Sequence, residues 1–364
     1  RNPGRSFPEH LVVCGGGGAF LHPTHCFQEF KAWLGTRYAC DSAFPSFQTS
    51  RMIGACLLPL FREWNWRFDV IGGGVYFLLA VSAFPMCGVL DQFDTSSPLA
   101  ALRSVPIVYA SVVVRIFSEA YTSLVVMIVV ANIMVAFVGT PAALSPGARV
   151  LIGSLHMCAH WLAALSLLLL LELGLDLCTY HKVLGAPGKA GLWETYLATQ
   201  ESNFADPNGI SRRLEAWTCG AYPAVLQYLF KVFDMPELMA VTRSTICQDG
   251  WGTLSRSATV LYYISNLLYF WVLCTPVVSW IFGCYLYICV NWLHVHFDEA
   301  FSALRIPHYK SFLRLHIDEK GALEIFAIGL RKIPRRWEAN TAKSSSHNPN
   351  PSRWVPAAGQ PGAP

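Results

Sequence analysis

Residues 259–292 read TVLYYISNLLYFWVLCTPVVSWIFGCYLYICVNW, an almost uninterrupted run of apolar side chains that leads into LHVHFDEAFSAL, ending at Leu304. No Asp, Glu, Lys or Arg occurs between Arg256 and Asp298. About 20 apolar residues suffice to cross the hydrocarbon core of a bilayer. The run therefore predicts at least one membrane crossing, and its many Tyr and Trp side chains are typical of the interface between lipid and water.

The composition of the whole chain agrees with a membrane location. Of its 364 residues 53% are hydrophobic and 14% are charged, whereas soluble domains average about 25% charged residues. The net charge of +4 is modest, and the basic residues lie beside apolar runs and near the C-terminus, so we expect no nucleic-acid partner. The twelve cysteines are scattered without a Cys-x-x-Cys pair, which favours buried or lipid-facing thiols over a zinc cluster.

Four apolar regions predict the spans of an integral, multi-pass membrane protein whose principal partner is the lipid bilayer. Pro276 predicts either a kink in a long last helix or the break of a hairpin, so five or six crossings stay open, and the positive-inside rule leaves the orientation and the organelle undecided. A polar insertion separates the last two regions at residues 178–256. The spans are predicted near residues 70–90, 119–138, 150–175 and 258–293.

Three other parts of the chain are predicted to lie in water or at the interface. Residues 1–48 are polar and rich in Gly and Pro, with a predicted buried strand at His10–Cys14, and residues 49–69 form a basic and aromatic linker suited to the bilayer surface. Residues 301–338 contain two alternating apolar runs around Asp-Glu-Lys-Gly, which predicts a β-hairpin. The Ser-, Pro- and Asn-rich residues 339–364 predict a disordered tail.

The N-terminal segment carries one group of candidate site residues. Glycines at 15–18 directly follow the predicted strand, and His22 and His25 flank a Pro-Thr pair. Glycine permits a close approach of the backbone to a ligand, so the segment is interpreted either as the wall of a phosphate or metal site or as a tight turn. The substrate-site rim is predicted to contain Gly15, Gly16, Gly17, Gly18, His22 and His25.

Histidines and carboxylates inside or beside the spans form a second group. His156 and His160 are four residues apart and share one helix face, and a second cluster occurs where the last span meets water. Ionisable residues at membrane depth are costly and are often functional. An intramembrane metal site is one hypothesis, and interhelical hydrogen bonding with an ordinary helix end is the alternative. The candidate ligands are His156, His160, His294, His296, Asp298 and Glu299.

Three long stretches resemble a known family. They are LVVCGGGGAFLHPTH (residues 11–25), AVTRSTIC (residues 240–247) and NWLHVHFDEAFSALRI (residues 291–306). Together they are similar to the membrane-anchored calcineurin-like metallophosphoesterases of plants and algae. The resemblance implies a soluble α/β phosphoesterase domain, built on a β-sandwich, that precedes a multi-span membrane region. Residues 1–48 would then be the C-terminal remnant of that domain.

The family's catalytic motifs do not occur in this sequence. The resemblance implies a divalent metal pair held by Asp-x-His, Gly-Asp-x-x-Asp, Gly-Asn-His-Asp/Glu and a late Gly-x-x-His-type motif. None of the earlier motifs is present, so no metal ligand can be assigned in this sequence. The first residue is Arg rather than Met, so we expect a fragment whose partner is an upstream phosphoesterase domain, and we expect no phosphoesterase activity from the fragment alone. The other hypotheses are a membrane enzyme with its own His/carboxylate metal site and a transporter or scaffold.

The predicted fold class is therefore an α-helical multi-span membrane protein. It would carry a remnant of the α/β metallophosphoesterase β-sandwich at its N-terminus and a β-hairpin near its C-terminus.

Overall fold

A computed structural model describes residues 8–16, 18–32, 36–86, 94, 98–139, 144–180, 215–221, 224, 235–340 and 352–361. Helices dominate this part of the chain. The helices are α1 (Phe47–Ala55), α2 (Leu57–Asn65), α3 (Arg67–Ala80), α4 (Pro98–Ser118), α5 (Tyr121–Phe137), α6 (Pro146–Tyr180), α7 (Met235–Asp249), α8 (Arg256–Ile288) and α9 (Phe297–Ala303). The strands are β1 (Glu29–Ala32), β2 (Thr36–Ala39), β3 (Lys310–Ile317), β4 (Leu323–Leu330), β5 (Trp337–Ala339) and β6 (Trp354–Pro356).

Serine caps begin the two longest helices. Ser145 Oγ accepts a hydrogen bond from the backbone N–H of Ala148 at 3.2 Å, and Ser255 Oγ does the same for Ala258 at 3.2 Å. A serine at this position satisfies an N–H group that has no partner within the helix. Pro146 is the first residue of α6, where its fixed φ suits the helix and its missing N–H costs nothing.

Three helical segments are long and apolar enough to cross a membrane, as judged by length and composition over the residues that the structure describes. They are Pro146–Leu175, Arg256–Cys274 and Pro276–Leu293. A fourth is reached if the helices Leu102–Ser118 and Tyr121–Phe137, which meet at 96°, together form one broken span. The span predicted near residues 150–175 thus corresponds to α6.

The outcome differs for the other predicted spans. Near residues 70–90 the chain forms α3, which ends after 14 residues at Ala80 and rises about 21 Å at 1.5 Å per residue, short of the roughly 30 Å hydrocarbon core. Residues 87–90 lie outside the described part. The span predicted near residues 119–138 corresponds to α5. This helix has 17 residues and is a candidate membrane span only together with α4.

Pro276 lies inside α8 and does not end it. The hairpin alternative for residues 258–293 is therefore wrong, because the helix continues through the proline from Arg256 to Ile288. Proline removes one backbone hydrogen-bond donor. The residues on both sides are apolar, and in an apolar environment the remaining backbone groups must bond within the helix, which favours its continuation.

The chain divides into two compact units. Residues 66–278 form the first of these, in which α3, α5 and α6 pack against one another. Adjacent glycines let α3 approach α8 closely, since a Cβ added at Gly72 would lie 2.6 Å from the Val278 side chain. Trp271 Nε1 also donates to the carbonyl oxygen of Val70 at 2.7 Å. This unit contains α6 and the Arg256–Cys274 segment.

Residues 1–65 and 279–364 form the second unit. Its helical part joins α1 and α2, which the predicted interfacial linker forms, to the end of α8. The rings of Phe61 and Phe282 stack 6.3 Å apart, and a Cβ at Gly283 would lie 2.6 Å from the carbonyl oxygen of Leu57. Asn65 Nδ2 donates to the carbonyl oxygen of Ala303 at 3.1 Å, which fixes α2 against α9.

The predicted C-terminal hairpin is confirmed. β3 and β4 pair antiparallel from Lys310 opposite Leu330 to Ile317 opposite Leu323. Asp318 Oδ1 accepts from the N–H groups two and four residues later, and Gly321 adopts φ +82°. A positive φ of this kind is favourable for glycine alone, so the Asp-Glu-Lys-Gly sequence determines the turn.

Two local predictions are wrong. His10–Cys14 forms no strand, and Val13 is 90% exposed, because within the described residues no neighbouring strand supplies a hydrogen-bonded ladder. Disorder is wrong for Trp354–Pro356, which pair antiparallel with Trp337–Ala339. Residues 341–351 and 362–364 of the tail, and residues 181–214, 222–223 and 225–234 of the predicted insertion, lie outside the described part.

Candidate functional site

The His-Pro-Thr-His segment packs against the end of the last apolar helix. Residues Thr24–Phe27 form one 3-10 turn, and Cys26 Sγ donates to the carbonyl oxygen of Val290 at 3.3 Å. The rings of Phe27 and Phe297 lie 5.0 Å apart. Two stretches separated by more than 260 residues in the chain therefore form one cluster, which we call the histidine cluster: His22, His25, Asn291, His294, His296, Asp298 and Glu299.

His25 lies at the centre of the histidine cluster. Its side chain is 5% exposed, and Nδ1 lies 2.9 Å from Ser50 Oγ. Its Nε2 and the Oδ1 of Asn291 are both buried without a hydrogen-bond partner. Burial lowers the pKa of His25 below its ordinary value, an effect that Asn291 opposes and the charge of Arg51 reinforces. The ring is therefore neutral at physiological pH, because the charged form is poorly solvated there.

Ser50 and Cys26 are not accessible nucleophiles. Ser50 is fully buried, so its contact with His25 orients the ring and leaves no room for a substrate. Burial raises the pKa of Cys26 to about 12, which keeps the thiol protonated and unreactive at neutral pH. The chemistry available to His25 is hydrogen bonding through Nε2.

The backbone of the histidine cluster is strained on the α8 side. Cys289–Leu293 form a π-helical turn, and His294 and His296 adopt φ +52° and +59°. Such left-handed conformations cost an L-residue roughly 1–2 kcal/mol each, and π-turns and strained residues are frequent at functional sites. The surrounding contacts must offset this cost.

Contacts of His296 supply part of that offset. Its Nε2 lies 2.9 Å from Tyr285 Oη, and its Nδ1 lies 3.5 Å from Glu299 Oε2. Burial lowers the pKa of His296, and the neighbouring Glu299 opposes the shift. At the outer edge, His22 Nδ1 lies 3.4 Å from Asp298 Oδ1 with both side chains more than half exposed. His22 and His25 of the first predicted group thus lie beside His294 and Asp298 of the second, whereas His156 and His160 belong to the other unit.

The glycine run packs against the C-terminal hairpin. A Cβ at Gly16 would overlap the backbone carbonyl of Ser311, and Ser311 N donates to Gly16 O at 3.4 Å. Lys310 Nζ donates to Gly18 O at 2.5 Å, and Gly18 N closes a turn onto Gly15 O at 2.9 Å. Glycine is required at position 16 by the close approach of two backbones. Gly17 lies outside the described residues, and a role for the run as a substrate rim stays a prediction.

His156 and His160 belong to the other unit and form a hydrogen-bonded chain. Tyr76 Oη lies 2.8 Å from His160 Nδ1, and the two Nε2 atoms of the histidines lie 3.2 Å apart. Both histidines are 3% exposed. These contacts bond α3 to α6, as the interhelical alternative expected.

The candidate metal ligands in the described part of the chain are arranged for hydrogen bonding. Among the residues that the structure describes, no group of three or more His, Cys, Asp and Glu side chains is arranged to hold a metal ion. Several histidine nitrogens instead lie near 3 Å from a hydroxyl or imidazole group, which is the distance of a hydrogen bond. The metal pair that the family resemblance implies stays a prediction, because its ligands are expected from motifs that this sequence does not contain.

Sequence reasoning missed a buried ion pair. Glu172 is fully buried in α6 and forms a salt bridge with Arg243 of α7, and its other carboxylate oxygen accepts from the backbone N–H of Met86 at 2.5 Å. A glutamate at the end of a leucine run was the available signal, because a charge in apolar surroundings requires a partner. Its partner lies in another helix and could not be identified from spacing.

Comparisons with protein-family models, curated proteins and solved structures found no match to this chain.

Proposed function

We propose that this chain is the membrane-embedded C-terminal part of a calcineurin-like metallophosphoesterase. In this proposal the full-length protein hydrolyses a phosphate ester with a divalent metal pair held by an upstream domain. The chain itself spans the bilayer several times and anchors that domain.

The membrane part of the proposal rests on the apolar helices. Their outward residues include Leu151, Leu155 and Val272, which are 59%, 61% and 69% exposed. Large exposed apolar side chains repeated along a helix suit a lipid environment. The buried charges of Glu172 and Arg243 are paired with each other, as membrane-embedded charges usually are.

The observation that carries the phosphoesterase part is the histidine cluster. The resemblance depends on residues 11–25 and residues 291–306, and these two stretches pack together around His25. If the two stretches packed independently of each other, nothing would account for a buried histidine beside a strained π-helical turn. Their association supports a shared structural role at the point where the domain would join the membrane region.

This arrangement gives the chain a supporting role in hydrolysis. His25 and Ser50 hold the His-Pro-Thr-His segment in place, and Gly16 fixes the preceding segment on β3. In the full-length protein these contacts would position the C-terminal edge of the catalytic domain. The metal ligands would come from residues before Arg1.

The proposal is tested first on the transcript. Sequencing upstream of the Arg1 codon should find an open frame that encodes Asp-x-His, Gly-Asp-x-x-Asp and Gly-Asn-His motifs. The full-length protein, purified in detergent, should then hydrolyse p-nitrophenyl phosphate or its bis-ester in the presence of Mn²⁺, whereas the 364-residue chain should not. A frame without these motifs, or metal-dependent hydrolysis by the chain alone, would contradict the proposal.

A further inference from the structure

The hairpin β3–β4 carries an apolar face that is open over most of its area. Alternate residues of the two strands place six apolar side chains on one side of the sheet. Leu315, Ile317 and Leu323 are 62%, 68% and 57% exposed. The complete face, which we call the hairpin face, consists of Leu313, Leu315, Ile317, Leu323, Ile325 and Ala327.

A hairpin of this kind needs a covering partner. Two isolated strands are marginally stable in water, and independent stability requires further strands or a packed layer. In the part of the chain that the structure describes, β3 and β4 form a two-stranded sheet with no third strand at either edge, and Ser311 of β3 donates outward to Gly16 O. Exposed edges and a contiguous apolar face together are typical of a surface that another element covers.

One end of the hairpin face is already covered by the N-terminal segment. The ring of Phe44 fills the space over Gly329, where a Cβ would lie 2.8 Å from it. Gly16 and Gly18 bond to Ser311 and Lys310 at the same end. The exposed residues Leu11–Val13 lead into this contact from the N-terminal side. The residues that cover this end belong to the N-terminal segment, and residues 8–13 extend from that segment toward the start of the chain.

We propose that the hairpin face is the docking surface for the domain upstream of Arg1, which packs an apolar sheet surface on it and pairs with a free hairpin edge. This inference rests on the proposed function for the existence of that domain. The hairpin then joins the catalytic domain to the end of the membrane region by a second connection, besides the chain itself. Such a connection fixes the orientation of the domain, because two attachments restrict rotation that a single linker allows.

A protein partner suits this surface better than lipid does. The outer edges of β3 and β4 present backbone N–H and C=O groups, and a bilayer interior offers no hydrogen bonds to satisfy them. The opposite side of the sheet mixes Lys310, Arg314 and the pair His316 and Glu324, 3.0 Å apart, with exposed apolar side chains. The apolar residues on that side are Phe312, Phe326, Ile328 and Leu330, so of the two sides only the hairpin face lacks charged residues. An edge strand of a β-sandwich can pair with the backbone groups of a hairpin edge, and the side chains of its sheet can cover the hairpin face.

Photo-crosslinking in the full-length protein tests the proposal. A benzoylphenylalanine replaces Leu315 on the hairpin face, or Arg314 on the opposite side as the matched control, and native membranes are irradiated. Mass spectrometry should find peptides from upstream of Arg1 joined to position 315 at least fivefold more often than to position 314. Amide exchange of β3 and β4 should also be at least tenfold slower in the full-length protein than in the 364-residue chain.

Other outcomes would overturn the inference. Capture of lipid at position 315 would assign the face to the bilayer, and capture of this same hairpin from a second copy would assign it to self-association. The phosphoesterase assay on the same preparation separates the two proposals. Upstream capture without hydrolysis would retain the docking surface and reject the catalytic function, whereas hydrolysis without upstream capture would do the reverse.

Discussion

At the scale of single residues, Gly16 and His25 are fixed in the N-terminal segment by different physical causes. Gly16 has no side chain because the carbonyl group of Ser311 occupies the space where a Cβ would lie. His25 is neutral because its ring is buried beside a hydroxyl group and an amide. The constraint on Gly16 is steric and the constraint on His25 is electrostatic, so different experiments test them.

Gly16→Ala should release the N-terminal segment from β3. The obstructing atoms belong to a backbone and cannot move without breaking the hairpin register, so we expect a loss of about 1–3 kcal/mol in the free energy of unfolding. Limited proteolysis within residues 8–18 should accelerate. Gly15→Ala is the control, since its Cβ would meet nothing within 4 Å. Equal behaviour of the two variants would contradict the close approach at Gly16.

Acid should destabilise the unit that contains His25. A histidine whose pKa is lowered in the folded state binds its proton more readily when unfolded, so its stabilising contribution is complete above about pH 6.5. The contribution is lost as the pH falls from there through the lower pKa of the folded state, by at most about 1.4 kcal/mol per pH unit. His296, whose pKa burial also lowers, acts in the same direction.

Thermal unfolding in detergent between pH 7.5 and 5 measures this effect. His25→Gln should reduce the dependence of Tm on pH relative to the unmodified chain, because the buried His25 ring is replaced by a group that does not titrate. A Tm of His25→Gln that falls as steeply with acid as that of the unmodified chain would show that His25 is not buried in the neutral form.

At the scale of elements, the ion pair of Glu172 and Arg243 joins α6 to α7. Glu172 is fully buried and Arg243 is 16% exposed. Removal of one member, as in Arg243→Met, leaves a buried carboxylate without its counter-charge and should cost about 3–5 kcal/mol in the free energy of unfolding. The double variant Glu172→Leu with Arg243→Met should recover most of the loss, because apolar replacement of both members is often neutral.

A double-mutant cycle in detergent micelles separates this pair from ordinary helix packing. The partly exposed pair of Arg115 on α4 and Glu119 just after that helix, 3.3 Å apart, is the control, and its removal should cost under about 1 kcal/mol. Equal costs for the two pairs, or a double variant as unstable as the single one, would refute a specific role for the buried salt bridge.

At the scale of the whole molecule, the apolar helices should make the chain resist extraction from membranes. After alkaline carbonate treatment we expect most of the protein to remain in the membrane pellet. Arginine in place of Leu155, Leu162 and Leu170, which are at least half exposed on α6, should increase the extracted fraction, since each charge costs about 2.5–3.5 kcal/mol at the centre of a span. Complete release of the unmodified chain would rule out membrane integration.

The sequence by itself determined the features that depend on neighbouring residues. Runs of apolar residues predicted α6 and the apolar parts of α8, because hydropathy over about 20 residues is a local property. The Asp-Glu-Lys-Gly turn between two alternating runs predicted β3 and β4. In both cases the residues that make the structure are adjacent in the chain, so their pattern could be read directly.

Only the tertiary structure decided which distant residues meet. His25 interacts with Asn291, Glu172 with Arg243, and Gly16 with Ser311, yet no spacing in the sequence relates the members of these pairs. The strand predicted at His10–Cys14 failed for the same reason, since a strand exists only where a neighbour supplies its hydrogen bonds. Local patterns define helices and turns, whereas the position of a buried charge, a buried histidine or a close backbone contact depends on the packing of the whole chain.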